Sequence, residues 1–336
     1  MSGLNSVLDR RRFIRNVIML GAGILSGVGL PAPVFARGKS RVVLVKTDDR
    51  ALGVARALAE FDLSGFRGAT VALKANYNSA DPFPASTHPD TLRALTQGLK
   101  DAGAGPMALV ERSGMGVTAR VLEELGVHDV AREVGFKVVV MDRLGADGYV
   151  HHAPLDSHWK KGFLLERHFA EADRVVQTCC LKTHQYGGHF TLSLKNAVGA
   201  VAKYDPATGY NYMNELHGSR RQRTLIAEIS QVFRNDLIVM DGLRAFVSGG
   251  PHAGRQVEPG VIVVGTDPVA VDAVGVAILR LYGTTPEVAR GAVFEQEQIA
   301  RAVELGLGAA TPEDIELVPL GPDADNLARR VREELA

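Results

Sequence analysis

The chain has 336 residues, 38 basic and 38 acidic side chains, 36 glycines and two cysteines, and 46% of it is hydrophobic. That length supports one large α/β domain or two smaller ones with ample core, and the composition excludes disorder, coiled coil and collagen. Zero net charge argues against a nucleic-acid partner held by phosphate neutralisation, and two cysteines cannot supply a four-cysteine iron–sulfur or zinc site.

The first 36 residues read as an address. Asp9-Arg10-Arg11-Arg12-Phe13-Ile14-Arg15 precedes an uncharged run from Val17 to Leu30, then Pro31-Ala32-Pro33 and Val34-Phe35-Ala36. The apolar run is shorter than the ~20 residues that span a bilayer. A basic start, a short apolar run and a small-residue exit make an export signal, and the paired arginines point to the twin-arginine route. Asp9 departs from the Ser or Thr usual there. The expectation is cleavage after Ala36, the twin-arginine translocation machinery as a partner and a periplasmic location. Residues 1–36 hold four arginines and one aspartate, so 34 basic and 37 acidic groups remain beyond them.

Strand and helix patterns alternate through residues 37–336. Arg41–Val45 is a β-branched run, followed by a helical pattern through Ala51, Ala55 and Leu58. Ala69–Leu73 reads as a strand. His88–Ala102 reads as a helix, with Thr87 placed to cap it and Pro89 suited to its first turn. Strand-like Met107–Val110, helical Val117–Leu125 and strand-like Val138–Met141 continue the alternation. Further strands are expected at Arg174–Gln177, Leu237–Met240 and Val261–Val264, and helices at Thr224–Phe233, Val269–Leu281 and Glu295–Leu305. Pro312–Val318 resembles a final edge strand and Asp325–Leu335 a last helix. The pattern predicts one α/β domain, a mostly parallel sheet with helices on both faces. Residues 143–172 are the least periodic stretch, an insertion or a hinge between two lobes.

In such a sheet, ligands bind beyond the carboxyl ends of the strands. Lys74, Asn76 and Asn78 follow one predicted strand, and Asp142 another. Gln177–Leu181 leads into Lys182, Thr183 and His184; Asp241 follows Leu237–Met240, and Asp267 follows Val261–Val264. Asp267 also suits a helix cap before Pro268, whereas a lysine near a helix N-terminus opposes the macrodipole. The densest segment runs Lys182-Thr183-His184-Gln185-Tyr186-Gly187-Gly188-His189 and on to Ser193-Leu194-Lys195-Asn196 and Gly199. Lysines and backbone amides in a glycine-bearing loop suit a carboxylate or phosphate. His184 and His189 are candidates for proton transfer or for a divalent metal. Cys179 and Cys180 are adjacent, so their side chains face opposite sides of a strand and act as small apolar fillers. Gly249–Gly254 lacks the spacing of a dinucleotide or Walker loop, and no Gly-x-Ser-x-Gly elbow occurs.

Several of these segments together resemble the family catalogued as domain of unknown function 362. They are Leu73-Lys74-Ala75-Asn76 with Thr87-His88-Pro89, Leu181–His184, Ser193–Asn196 with Gly199, Met240-Asp241-Gly242, Gly249-Gly250-Pro251, Thr266–Ala273 and Glu304–Gly308. The resemblance is collinear over roughly residues 41–318. Many relatives carry appended ferredoxin-type cysteine clusters; this chain lacks those cysteines, so no cluster is carried over to it. A looser similarity is to nickel-dependent lactate racemases, which would make His184 a proton carrier and Lys195 a carboxylate anchor.

Together these readings predict a polar cleft for a small anionic ligand. Lys74, Lys182 and Lys195 would hold its charge, and Asn76 and Asn196 would orient it. His184 would be the acid/base or metal group, His189 a second metal ligand, Asp267 and Asp272 orienting or metal-binding carboxylates, and Asp241 a further ligand-binding residue. Asp272 also reads as an exposed helix residue and Asp241 as a turn former. The rival expectation is a non-catalytic periplasmic binding protein or an accessory to a redox partner.

Overall fold

Runs such as Arg41–Val45 are apolar on both sides of the chain, and a strand of that kind is stable only when helices cover both faces of its sheet. The computed structural model describes residues 38–336, so the Asp9–Arg15 signature, the Val17–Leu30 run and the cleavage position after Ala36 lie outside the described residues. The strands in chain order are β1 (Ser40–Lys46), β2 (Val71–Lys74), β3 (Met107–Glu111), β4 (Lys137–Val140), β5 (Tyr149–His152), β6 (Phe163–Glu166), β7 (Arg174–His184), β8 (His189–Phe190), β9 (Leu237–Gly249), β10 (Gly254–Val257), β11 (Val261–Gly265) and β12 (Ile315–Leu320).

Ten of them form one mixed, mostly parallel sheet in the order β12-β1-β11-β9-β7-β2-β3-β4, with β10 added beside β9 and β8 beside β7. Along the main path every strand runs in one direction except β11, which is antiparallel to both β1 and β9. Side chains alternate between two cores. Val42, Leu44, Val110, Cys179, Ile238 and Val263 face one layer. Val43, Val45, Leu109, Cys180, Val239 and Ile262 face the other. The adjacent cysteines therefore part to opposite faces, both buried and free.

Helix Pro268–Leu281 lies in the first core, capped by Asp267, whose carboxylate accepts from the Val269 and Ala270 amides. A Cβ on its Gly275 would stand 2.7 Å from Leu192 Cδ1 and 3.0 Å from Met240 Cε, so glycine allows this close crossing. Helices Arg50–Leu58 and Pro89–Asp101 cover the second core. The Pro89–Asp101 helix is capped by His88, whose Nδ1 accepts the Asp90 amide, and not by Thr87. The Thr87 hydroxyl instead accepts the Asn76 amide at 2.9 Å. Strands β7 and β9 run well past their expected ends, and a separate helix at Val127–Val134 follows the one ending at Glu124.

The aperiodic stretch 143–172 contains the antiparallel pair β5–β6. Trp159 beside it donates Nε1–H to Leu225 O at 3.0 Å, and His158 Nδ1 lies 2.6 Å from the fully buried Glu228. Arg301 meets the same carboxylate at 3.0 Å, which holds this hairpin onto the helices of the first core. Among the described residues no helix is long and apolar enough to cross a membrane.

Candidate functional site

Beyond the carboxyl ends of β2, β3 and β7 lies a cavity of about 810 Å³. Parallel strands deliver Lys74, Glu111 and His184 there as their last residues, with Arg112 one position further on. The helix Ser193–Asn196 brings in Lys195 and Asn196 from the side, and His217 comes from the helix Tyr212–Gly218. Five cationic side chains line the cavity (Lys74, Arg112, Lys182, Lys195 and Lys203) against one carboxylate, Glu111. Lys74, Asn76, Lys182, His184, Lys195 and Asn196 all border it, as the strand-end argument expected.

The lysines differ in what they already hold. Lys74 Nζ donates to Glu111 Oε1 at 2.6 Å and also to Ala75 O. Burial pushes both partners of this pair toward their neutral forms, Lys74 downward and Glu111 upward, and their mutual attraction opposes it. Lys182 Nζ donates to Asn76 Oδ1 at 2.7 Å, to Pro251 O at 3.3 Å and to Ala85 O. All three of its protons are engaged, so it braces the loops around the cavity. Among the described residues Lys195 Nζ has neither a hydrogen-bond acceptor nor a carboxylate partner, although the residue is only 8% exposed. Burial first, then Lys182 and Arg112, lower its pKa from 10.5 to about 8.

His184 shares this corner. Its Nδ1 is buried with no hydrogen-bond partner among the described residues. A Cβ on Gly188 would stand 2.7 Å from Lys195 Cε and 3.1 Å from His184 Nδ1, so the ammonium arm and the imidazole flank one point. Burial, then Lys195 and Lys182, hold the His184 imidazole far below its ordinary pKa, in the neutral form. His217 is likewise pushed down to about 4, by burial and then by Lys195 and Arg112. Gln222 supports both walls, its amide donating to Tyr186 O at 3.2 Å and lying 3.0 Å from His217 Nδ1. The intervening turn uses Gly187 at φ +77°, where a side chain would be strained.

Asn76 and Asn196 form part of a buried row of amides. Asn76 Nδ2 donates to Asn196 Oδ1 at 3.1 Å, Asn196 Nδ2 to Gln177 Oε1 at 2.9 Å, and Gln177 Nε2 to Asn235 Oδ1 at 2.5 Å. The row ends where Asn235 Nδ2 meets Phe233 O at 3.5 Å. Arg112 is fixed by the carbonyls of Val201 and Val198, at 3.0 and 3.1 Å.

The three aspartates lie outside the cavity lining, each for its own reason. Asp267 follows the one reversed strand, so it emerges at the opposite end of the sheet, where it accepts from Ser40 Oγ at 2.5 Å and from the Ala309 amide at 2.7 Å. Asp241 lies within β9 rather than after it, buried against Arg50 Nε at 3.0 Å and Thr91 Oγ1 at 2.5 Å. Asp272 is not exposed. Its carboxylate accepts from Ser193 Oγ at 2.5 Å and from the Ser193 and Leu194 amides at 2.7 and 3.1 Å. It thereby fixes the first turn of the helix that carries Lys195. Burial raises its pKa from 3.8 to about 7, against those hydrogen bonds.

His189 is paired in register with His184 across β7 and β8 but borders a smaller cavity of about 350 Å³ on the far side of His184. Among the described residues no group of three or more His, Cys, Asp or Glu side chains is placed to hold a metal ion. Glu111, Arg112 and His217 were missing from the sequence-derived set. Glu111 ends β3 and Arg112 follows it, so both obey the rule that found Lys74; His217 sits in a stretch with no periodic signal.

The fold and this corner define an α/β protein with a cation-lined cavity at the carboxyl edge of its sheet. A family model described as domain of unknown function (DUF362) matches residues 71–277, more than half of the chain, and the chain belongs to that family. It is also similar to a thylakoid-associated protein of Synechocystis sp. (strain ATCC 27184 / PCC 6803 / Kazusa), 24% identical over 199 residues. That alignment spans 59% of this chain and 59% of the relative's length.

Proposed function

We propose that this protein binds a small organic anion, a carboxylate or phosphate, beside Lys195 and exchanges a proton with it. The observation that carries the reading is the Lys195 ammonium, on a residue only 8% exposed and without a protein acceptor among the described residues, facing a cavity lined by five cations and one carboxylate. A largely desolvated charge without a protein partner is costly, and an anion bound beside it would offset that cost. Neutral His184, with Nδ1 unengaged, is a proton acceptor; the ammonium of Lys195 is the donor that returns the proton. The ligand's proton passes to the imidazole, and a proton from the ammonium replaces it on the ligand. The imidazolium, whose ring is weakly basic, then returns its proton to the Lys195 amine, so both groups are restored and no outside oxidant or reductant is involved.

The proposal extends to where the protein works. Residues 1–36 are read as a twin-arginine address leading to the periplasm; fractionation of cells expressing the Arg10→Lys, Arg11→Lys variant tests it, with retention in the cytoplasm expected. For the site, titration calorimetry with inorganic phosphate and with acetate is the direct experiment. Binding of at least one of them, weakened at least tenfold in Lys195→Met, is expected, and no binding of either overturns the reading. Deuterium uptake by a bound carboxylate, lost in His184→Gln, separates an enzyme from a receptor. A protein that binds the anion without exchange is a non-catalytic binding protein of the kind that would serve a redox partner.

A further inference from the structure

The cavity is much larger than the ions that would satisfy its charge. At ~30 Å³ per water, 810 Å³ holds roughly 27 waters, and a free phosphate or acetate would displace only a few of them. Its lining is also graded. The inner residues Lys74, Arg112, His184 and Lys195 are each under a tenth exposed, whereas Met115, Tyr186 and Tyr204 at the mouth are 45%, 49% and 51% exposed. Large apolar side chains this exposed are few among the described residues, six in all, and three of them border this one opening. A fourth, Val117, is two residues from Met115.

The mouth rings are also held in place. Tyr186 stacks on His252 with centroids 6.3 Å apart and an interplanar angle of 8°, and it meets the His184 ring edge-on at 5.7 Å. Lys203 Nζ sits 5.6 Å from the centroid of the Tyr204 ring. Ordered rings beside a desolvated charge form a two-part receptor, since aromatic faces recognise flat apolar bodies and the charge fixes one end.

We infer that the ligand is an aromatic anion, with its carboxylate or phosphate directed inward to Lys195 and Arg112 and its flat body lying between Met115, Tyr186 and Tyr204. This rests on the anion-binding reading above and adds the chemical class of the ligand. The inner end discriminates by charge, and the mouth discriminates by area and planarity.

The experiment compares matched probes on the purified full chain: inorganic phosphate against phenyl phosphate, and acetate against benzoate, by titration calorimetry. The ratio is read on whichever pair binds. Wild-type protein is expected to favour the aromatic member at least tenfold. Met115→Ser with Tyr204→Ser, both half-exposed positions, is expected to bring the ratio below threefold, the loss falling on the aromatic member. Lys195→Met is expected to weaken both members of a pair by the same factor. Equal affinity for the two members in wild type, or a preference that survives in the double variant, overturns this inference while the anion reading stands. Failure of every probe to bind overturns both.

Discussion

Replacing Lys195 by Met is expected to move stability and binding in opposite directions. The side chain is buried, and its pKa falls from 10.5 to about 8 chiefly because the charged form is desolvated. Such a fall corresponds to a folded-state penalty on the order of 3 kcal/mol for keeping the proton. The unfolded chain stays protonated to pH 10.5. Below pH 8 both states are charged and the whole penalty is present. Between 8 and 10.5 the unfolded state binds more protons, so wild-type stability rises with pH as the penalty is relieved. Methionine has a stem of similar length and no charge. The variant is therefore expected to be more stable than wild type at pH 7, by about 2–3 kcal/mol, with the gap closing toward pH 10.5. Binding goes the other way: losing one hydrogen bond to a charged group costs about 1.5–3 kcal/mol, or roughly 10- to 150-fold in affinity. Urea unfolding at pH 7, 9 and 10.5, with calorimetry at pH 7, measures both. A variant that unfolds more easily at pH 7, or a stability gap that does not change with pH, refutes the reasoning and makes Lys195 a structural strut.

The remaining predictions concern the supports of that ammonium. Anion affinity in wild type is expected to fall about tenfold per pH unit above 8, as Lys195 gives up its proton; a flat profile to pH 10 would assign the charge to Arg112. Gly188→Ala puts a Cβ 2.7 Å from Lys195 Cε and is expected to weaken phosphate or acetate binding more than tenfold in calorimetry, with a small change in melting temperature. Asp272→Ala strands the Ser193 hydroxyl and two backbone amides and is expected to cost about 3 kcal/mol in urea unfolding. It also removes the decline in stability that wild type shows as pH rises from about 4 to 7, where the folded state holds the extra proton. Dialysis against EDTA is expected to leave anion affinity within twofold, because among the described residues no third His, Cys, Asp or Glu is placed to share a metal ion with His184 and His189; a loss restored by nickel or zinc would reinstate a metal site.

Most of the fold was legible because burial on both faces leaves near-continuous β-branched runs, and the helices between them keep a 3.6-residue period. The strand-end rule then found Lys74, Lys182 and His184. It failed for Asp267 because composition does not encode strand direction. Direction follows from the connection. A parallel return needs a crossover of a dozen or more residues, usually helical. Between Met240 and Val261 the chain is long enough for a crossover. Strand β9 in fact continues to Gly249, and the hairpin with β10 leaves only a short antiparallel return. The same underestimate made Asp241 a strand-end residue when it lies inside the ladder. Which lysine is free was beyond sequence reading, because the acceptors around Lys182 come from Asn76, Ala85 and Pro251, far apart along the chain.

The buried amides beside the cavity carry a polarity set from their ends. An ammonium can only donate and a peptide carbonyl can only accept, so Lys182 at one end and Phe233 O at the other dictate which way Asn76, Asn196, Gln177 and Asn235 are turned. Reversing any one amide would bring two donors or two acceptors face to face. The direction is therefore set twice over, and an aliphatic residue at Lys182 would free the Asn76 oxygen while Phe233 O, with Thr178 O on Asn196, still holds the rest of the row.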